Sequence, residues 1–276
     1  MRVGLFSDTY TPYISGVVTS ISILKSALEE LGHEVYVVTI NPDGLKYSYD
    51  EKQRILRIGG IDSGIYDGTR ITGIYPIRAI NKIKKWNLDV IHSHTEFSIG
   101  TFARIISKQL NIPIVHTYHT MYEDYVYLIT KGLFDKPARK IVEYLTLFYC
   151  DKTVSELVVP TKKAYDLFKL KYKLNRNIHI IPTGSDIEKF DKDNFDKKEI
   201  LDLKKELGIS SEDFVLISVS RISKEKNLEF IMDDFRVVSR GNKKWKLLII
   251  GDGPCLEVYK KRYLKTKGII FVGKVP

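Results

Sequence analysis

A chain of 276 residues, 43% hydrophobic and 28% charged, has the composition of a folded globular protein, which excludes a disordered chain or a fibre. Its 44 basic against 34 acidic residues leave a formal charge of +10, which favours an anionic partner: nucleic acid, acidic lipid or a phosphorylated small molecule. Lysines spread through nearly every helical segment, with no RNP, zinc-finger or basic-zipper pattern, argue against nucleic acid, and no apolar run approaches the roughly 20 residues of a membrane-spanning helix.

In chain order, Val3 to Phe6 reads as a strand, without the layout of a secretory signal, so a cytoplasmic location is expected. Val18, Ile21, Leu24, Leu28 and Leu31 then form one helical stripe ended by Gly32, and Val35 to Ile40 follows as a second strand, completing a βαβ unit. In Tyr75 to Trp86, Pro76 can open a helix in which Ile77, Ile80, Ile83 and Trp86 form a stripe and Arg78, Lys82, Lys84 and Lys85 lie on the other sides. Such a helix either docks on an anionic membrane with Trp86 at headgroup level or packs on the sheet with a wet basic face. Next come a strand over 89–94, a helix over 99–110, a strand over 112–117 and a helical, aromatic-rich stretch over 122–149. A short strand over 157–159, a helix over 162–171 and a strand over 177–181 follow.

Residues 185–198, rich in Asp and Lys, read as a surface linker. Beyond it, strands over 214–219, 246–250 and 269–272 alternate with helices over 228–238 and up to Lys265, and a Gly251-Asp252-Gly253-Pro254 turn intervenes. The fold class is therefore α/β with doubly wound parallel sheets. Residues 1–190 form the first domain, and residues 191–276 make only half of a second, so the chain is expected to be a fragment of a longer protein. Cys150 and Cys255, without CxxC spacing, read as core filling.

Ligands of open α/β sheets bind beyond the carboxyl ends of the strands, and the loops there carry the candidates. Gly16 opens the first helix, where free N–H groups and the dipole suit a phosphate; equally, it could only relieve crowding at a turn. Arg221 and Lys226, just past a strand end, would suit a diphosphate leaving group or lie in a solvated basic loop. His92 and His94 share one strand face, and His116 and His119 follow one strand later. No zinc pattern surrounds them, so no metal is expected, and His92 and His116 read as interior histidines. His119 closes its strand in a polar, aromatic cluster able to hydrogen-bond a sugar or alcohol.

These segments together resemble glycosyltransferase family 4: Gly4-Leu5-Phe6-Ser7-Asp8 with Ser15-Gly16-Val17-Val18, Asp89 to His94, Thr117 to Thr120, Ile181 to Gly184, Ser220-Arg221 with Glu225-Lys226-Asn227, and Gly251 to Pro254. The opening segment and Thr117 to Tyr125 look most like the diacylglycerol glucosyltransferases of that family. The resemblance implies a GT-B fold of two Rossmann-like domains and retaining transfer of a hexose, with glucose the expected sugar, from a UDP-sugar to a lipid hydroxyl such as that of diacylglycerol. A soluble glycan or small alcohol is the rival acceptor, and a non-catalytic membrane- or sugar-binding module the rival class. No cofactor beyond the nucleotide-sugar co-substrate is implied, and a peripheral place on the inner face of the cell membrane is. By that likeness Gly16 lies against the donor phosphates, Arg221 and Lys226 hold the diphosphate, Gly253 and the backbone over 272–275 shape the nucleoside pocket, and His119 contacts the donor sugar. Tyr122, Glu123 and Asp124 face the acceptor. One departure stands out: the family's paired glutamates, eight positions apart, are absent, since no two glutamates here have that spacing. The pair is expected beyond Pro276.

Overall fold

The computed structural model describes residues 1–64, 70–125 and 135–275, for residues 124, 125 and 135 the backbone alone. The chain forms two compact units, Met1–Asp186 and Ile187–Pro276.

In the first unit, strands β1 (Arg2–Phe6) and β2 (Glu34–Ile40) flank helix α1 (Gly16–Glu30), and β3 (Ser48–Asp50), β4 (Ile55–Ile58) and the small hairpin β5 (Ile61–Asp62) and β6 (Arg70–Ile71) follow. Helix α2 (Ile77–Lys84) leads to β7 (Val90–Ser93), α3 (Ser98–Leu110) and β8 (Ile114–Thr117). A 3-10 turn at Tyr122–Tyr125, helix α4 (Asp135–Leu147), β9 (Glu156–Val159), α5 (Lys162–Asp166) and β10 (Ile178–Ile180) complete the unit. Residues 126–134 of the expected helical stretch lie outside the described residues. The sheet runs β10-β9-β8-β7-β1-β2-β4-β3, parallel except where β3 meets β4.

Alternation along the strands dictates the two helical layers. Val3, Leu5, Val35 and Val37 meet Val18 and Ile21 of α1 on one face; Phe6, Tyr36, Val38 and Ile40 meet α2 and α3 on the other. Leu31, expected at the end of the α1 stripe, is instead the exposed residue that caps the helix.

The α2 stripe behaves differently from a membrane-docking helix. Ile80, Ile83 and Trp86 are buried, and the Trp86 indole stacks on Tyr36 with ring centroids 4.6 Å apart. The expected place of Trp86 at a lipid headgroup is thus corrected: burying the largest apolar side chain against the sheet outweighs leaving it at a surface. Arg78 lies over the Tyr47 ring at 4.7 Å and Lys82 over Tyr49 at 3.9 Å, while Lys84 and Lys85 are exposed.

The second unit comprises α6 (Lys197–Glu206), β11 (Phe214–Val219), α7 (Leu228–Val238), β12 (Trp245–Ile250), α8 (Leu256–Tyr263) and β13 (Ile269–Gly273). Its three strands pair in parallel in the order β11-β12-β13. Met232 and Phe235 of α7 and Tyr259 and Tyr263 of α8 pack with Leu247 and Ile249, while Phe214, Ile217 and Val219 of β11 remain exposed.

Candidate active site

Parallel register brings three strand ends of the first unit level: Phe6 of β1 pairs with Ser93 of β7, and Ser93 with His116 of β8. The residues that follow those ends, Ser7 and Asp8, His94 to Glu96, and Tyr118 to His119, are therefore neighbours.

The Asp8 carboxylate accepts hydrogen bonds from the Thr95 hydroxyl (2.5 Å), the Ser98 hydroxyl (2.8 Å) and the Ile99 N–H (2.9 Å). It thereby caps the first turn of α3, where negative charge meets the positive end of the helix dipole. Burial raises its pKa, and the three hydrogen bonds work against that rise.

Beside it lies a histidine ladder. The His92 and His94 rings stack with centroids 4.2 Å apart, as two-residue spacing on a strand requires, and His94 stacks on His119 at 5.3 Å. His94 Nδ1 is 3.0 Å from His119 Nε2, and His92 Nε2 is 2.7 Å from the Thr117 hydroxyl. Desolvation lowers all these rings: His92 to about 3, His119 to about 4 and His94 well below its ordinary value. All three are neutral at pH 7.

His116 turns elsewhere. Its Nε2 donates to Glu96 (3.0 Å), whose second oxygen accepts the Tyr122 hydroxyl at 2.5 Å. Glu96, His116 and Cys150 bring one ligand-type atom each within 4.8 Å of one another. Both carboxylate oxygens are already engaged and burial raises the Cys150 thiol well above its usual range, while His116 Nδ1 is buried without a hydrogen-bond partner. The buried Arg104 guanidinium stands close by, bonded to Ser93 Oγ, the Gly100 and Tyr149 carbonyls and the Thr153 hydroxyl.

The expected acceptor-side residues need correction. The Tyr122 hydroxyl is taken by Glu96, and Glu123 is buried, with its carboxylate held by Lys171 and the Tyr172 hydroxyl. An internal ion pair satisfies the Glu123 charge that was expected to face a ligand. The Asp124 side chain lies outside the described residues.

Gly16 is the first residue of α1, behind the Ser15 cap, whose hydroxyl accepts from the Val18 N–H at 3.3 Å. A Cβ added there would meet nothing within 4 Å. Crowding within the unit therefore does not require a glycine at this position. The opposite holds at Gly251 and Gly253 of the second unit, with φ of +138° and +156°: a Cβ would lie 1.9 Å from the Ser220 carbonyl oxygen and 2.5 Å from that of Ile222. The turn is pressed against the loop after β11, which it ties down through Ile222 N–H to Asp252 O (2.9 Å) and Cys255 N–H to Ile222 O (3.0 Å). That loop carries the half-buried Arg221 and the exposed Lys226, the latter in a 3-10 turn ahead of α7.

Pattern reading missed Asp8, His94 and Glu96 as parts of this site. His94 was detectable through its spacing from His92; the partnership of Glu96 with His116 arises only from strand register.

Residues 14–189 match Glycosyltransferase Family 4, and residues 199–276 match Glycosyl transferases group 1. The chain is 36% identical over 279 aligned positions to the alpha-monoglucosyldiacylglycerol synthase of Streptococcus pneumoniae, an alignment spanning all of this chain and 62% of that protein. It is 37% identical to the protein of the same name from Acholeplasma laidlawii, with 98% of this chain and 70% of the relative covered. The chain thus spans about two thirds of the length of these relatives. Among solved structures, HepE of Anabaena in complex with UDP superposes with a TM-score of 0.60 at 14% identity, covering 99% of this chain and 69% of that one.

Proposed function

From a chain that belongs to glycosyltransferase family 4 and has the GT-B type of α/β architecture, we propose that the protein transfers glucose from a UDP-sugar to the free hydroxyl of diacylglycerol, with retention of the anomeric configuration. The observation that carries the choice of sugar and acceptor is the 36% and 37% identity, running through both units, to two proteins named for that product.

Three features of the chain support the roles of its residues. The open space around Gly16 lets a phosphate oxygen approach the free N–H groups at the start of α1. Arg221 and Lys226 supply positive charge against the departing diphosphate, and the glycines of the 251–254 turn allow the loop that bears them to close on its neighbour. His119, neutral at working pH, hydrogen-bonds a hydroxyl of the donor sugar beside the carbon where positive charge develops. The bond from that carbon to the diphosphate breaks, and a bond to the acceptor hydroxyl oxygen forms on the same face.

The protein meets its acceptor as a peripheral protein at a lipid surface. No helix among the described residues is long and apolar enough to cross a membrane. Ile141 and Tyr144 of α4 and Phe148 just after it form an exposed i, i+3, i+7 stripe with Leu145, and Arg139 and Lys140 flank it. This surface suits anionic lipid better than α2, whose Ile80, Ile83 and Trp86 are spent on the core and which leaves only Ile77 of its stripe exposed.

The test is transfer of labelled glucose from UDP-glucose to diacylglycerol in anionic mixed micelles by a full-length version of the protein, with chelator present. An α-linked lipid product is expected. Product on a soluble alcohol but never on diacylglycerol would overturn the acceptor assignment.

A further inference from the structure

His94 is 2% exposed, stacked between His92 and His119, with its backbone N–H on the Phe6 carbonyl at 2.9 Å. Its Nδ1 faces His119 Nε2 at 3.0 Å, and its Nε2 is buried without a hydrogen-bond partner. Both rings are neutral at pH 7, so each carries one proton, and the shared hydrogen bond can be filled in two ways. If His119 Nε2 donated, the His94 proton would sit on its own Nε2, a buried N–H with no acceptor. If His94 Nδ1 donates, the buried Nε2 keeps only a bare lone pair. An orphaned buried donor is the rarer and costlier of the two.

We propose that His94 is a positioning residue that holds His119 in the tautomer protonated at Nδ1. His119 then presents a hydrogen-bond donor to its ligand, and its Nε2 lone pair is occupied and cannot serve as a base. Which nitrogen of a histidine carries the proton is set by the bond its other nitrogen makes, and here a second histidine plays the part more often given to a carbonyl or carboxylate. The ligand for this donor is an oxygen acceptor, such as a sugar hydroxyl or ring oxygen, and this part of the inference rests on the reading of His119 as the donor-sugar contact.

The test is the ring-nitrogen spectrum of the full chain labelled with 15N-histidine, with the His119 signals assigned from a His119→Asn sample. Wild type is expected to show His119 protonated at Nδ1 at pH 7. His94→Phe should move the His119 proton to Nε2, and His94→Asn, whose amide can place an N–H near the former Nδ1, should restore the wild-type pattern. A role in packing alone would be met by phenylalanine at least as well as by asparagine. Wild-type His119 protonated at Nε2 overturns the proposal whether or not either variant folds, as does an unchanged tautomer in His94→Phe. The spectrum needs no nucleotide sugar, so its failure leaves the donor-sugar reading standing. Wild-type turnover in His119→Ala would instead sink that reading and leave the tautomer in place.

Discussion

All six histidines of the chain lie in the first unit and none in the second, and the same division runs through the rest of the polar chemistry. At the strand ends of the first unit, Asp8, His94, Glu96 and His116 are buried and held by side-chain hydrogen bonds: Asp8 to Thr95 and Ser98, His94 to His119, and His116 to Glu96. At the strand ends of the second, Lys224, Lys226 and Asn227 are exposed, and the shape of their loop is held by backbone bonds and two left-handed glycines. Buried polar groups make a site rigid and sensitive to pH; exposed cations on a backbone-fixed loop contribute charge without supporting the core.

Acidification should separate the units most. A ring whose folded pKa lies below the ordinary histidine value stabilises the fold above about pH 6.5, and that contribution is lost as pH falls towards the folded pKa. His92, His94, His116 and His119 act in this sense, and Asp8, raised by burial, opposes them by at most one proton. With at least about two protons taken up on unfolding, the first unit should lose about 3 kcal/mol or more per pH unit around pH 5. The two tryptophans, Trp86 and Trp245, report one unit each, so urea transitions of single-tryptophan variants at pH 7 and pH 5 check this. Equal shifts of both transitions would break the comparison.

Asp8→Ala comes next. It leaves the Ser98 and Thr95 hydroxyls and the Ile99 N–H without their acceptor, and the Trp86 transition should lose about 3 kcal/mol, the Trp245 transition nothing. In the second unit, the exposed Lys226→Ala should lower glucosyl transfer about 100-fold, on the order of 2.7 kcal/mol, with thermal unfolding unchanged. A destabilised Lys226→Ala chain would show that this loop supports the core after all. The smallest expected structural effect is that of Gly16→Ala. With nothing within 4 Å of the new methyl group, stability should stay within about 1 kcal/mol of wild type, while UDP binding by calorimetry weakens. Unchanged UDP affinity would remove Gly16 from the phosphate site.

Pattern reading located most elements within a residue or two, including β11 and α7 in full, because their apolar periodicity is long and regular. It passed over β4, whose Ile55, Leu56 and Ile58 form too short a run to stand out, and the two-residue strands β5 and β6. Among the candidate residues, Glu123 and Trp86 misled for one reason: residue type and spacing suggest what a side chain could do, and the nearest partner decides what it does. Lys171 and Tyr172 lie far along the chain from Glu123, and Tyr36 far from Trp86.

By itself the sequence determined the alternation of strands and helices and the family motifs, which depend on local periodicity and contiguous residues. Only the tertiary structure decided that Asp8 caps α3, that His94 rather than a carboxylate sets the neighbour of His119, and that His116 belongs to Glu96. Those pairings join residues that lie apart along the chain, and parallel register, which brings the ends of β1, β7 and β8 level, selects them.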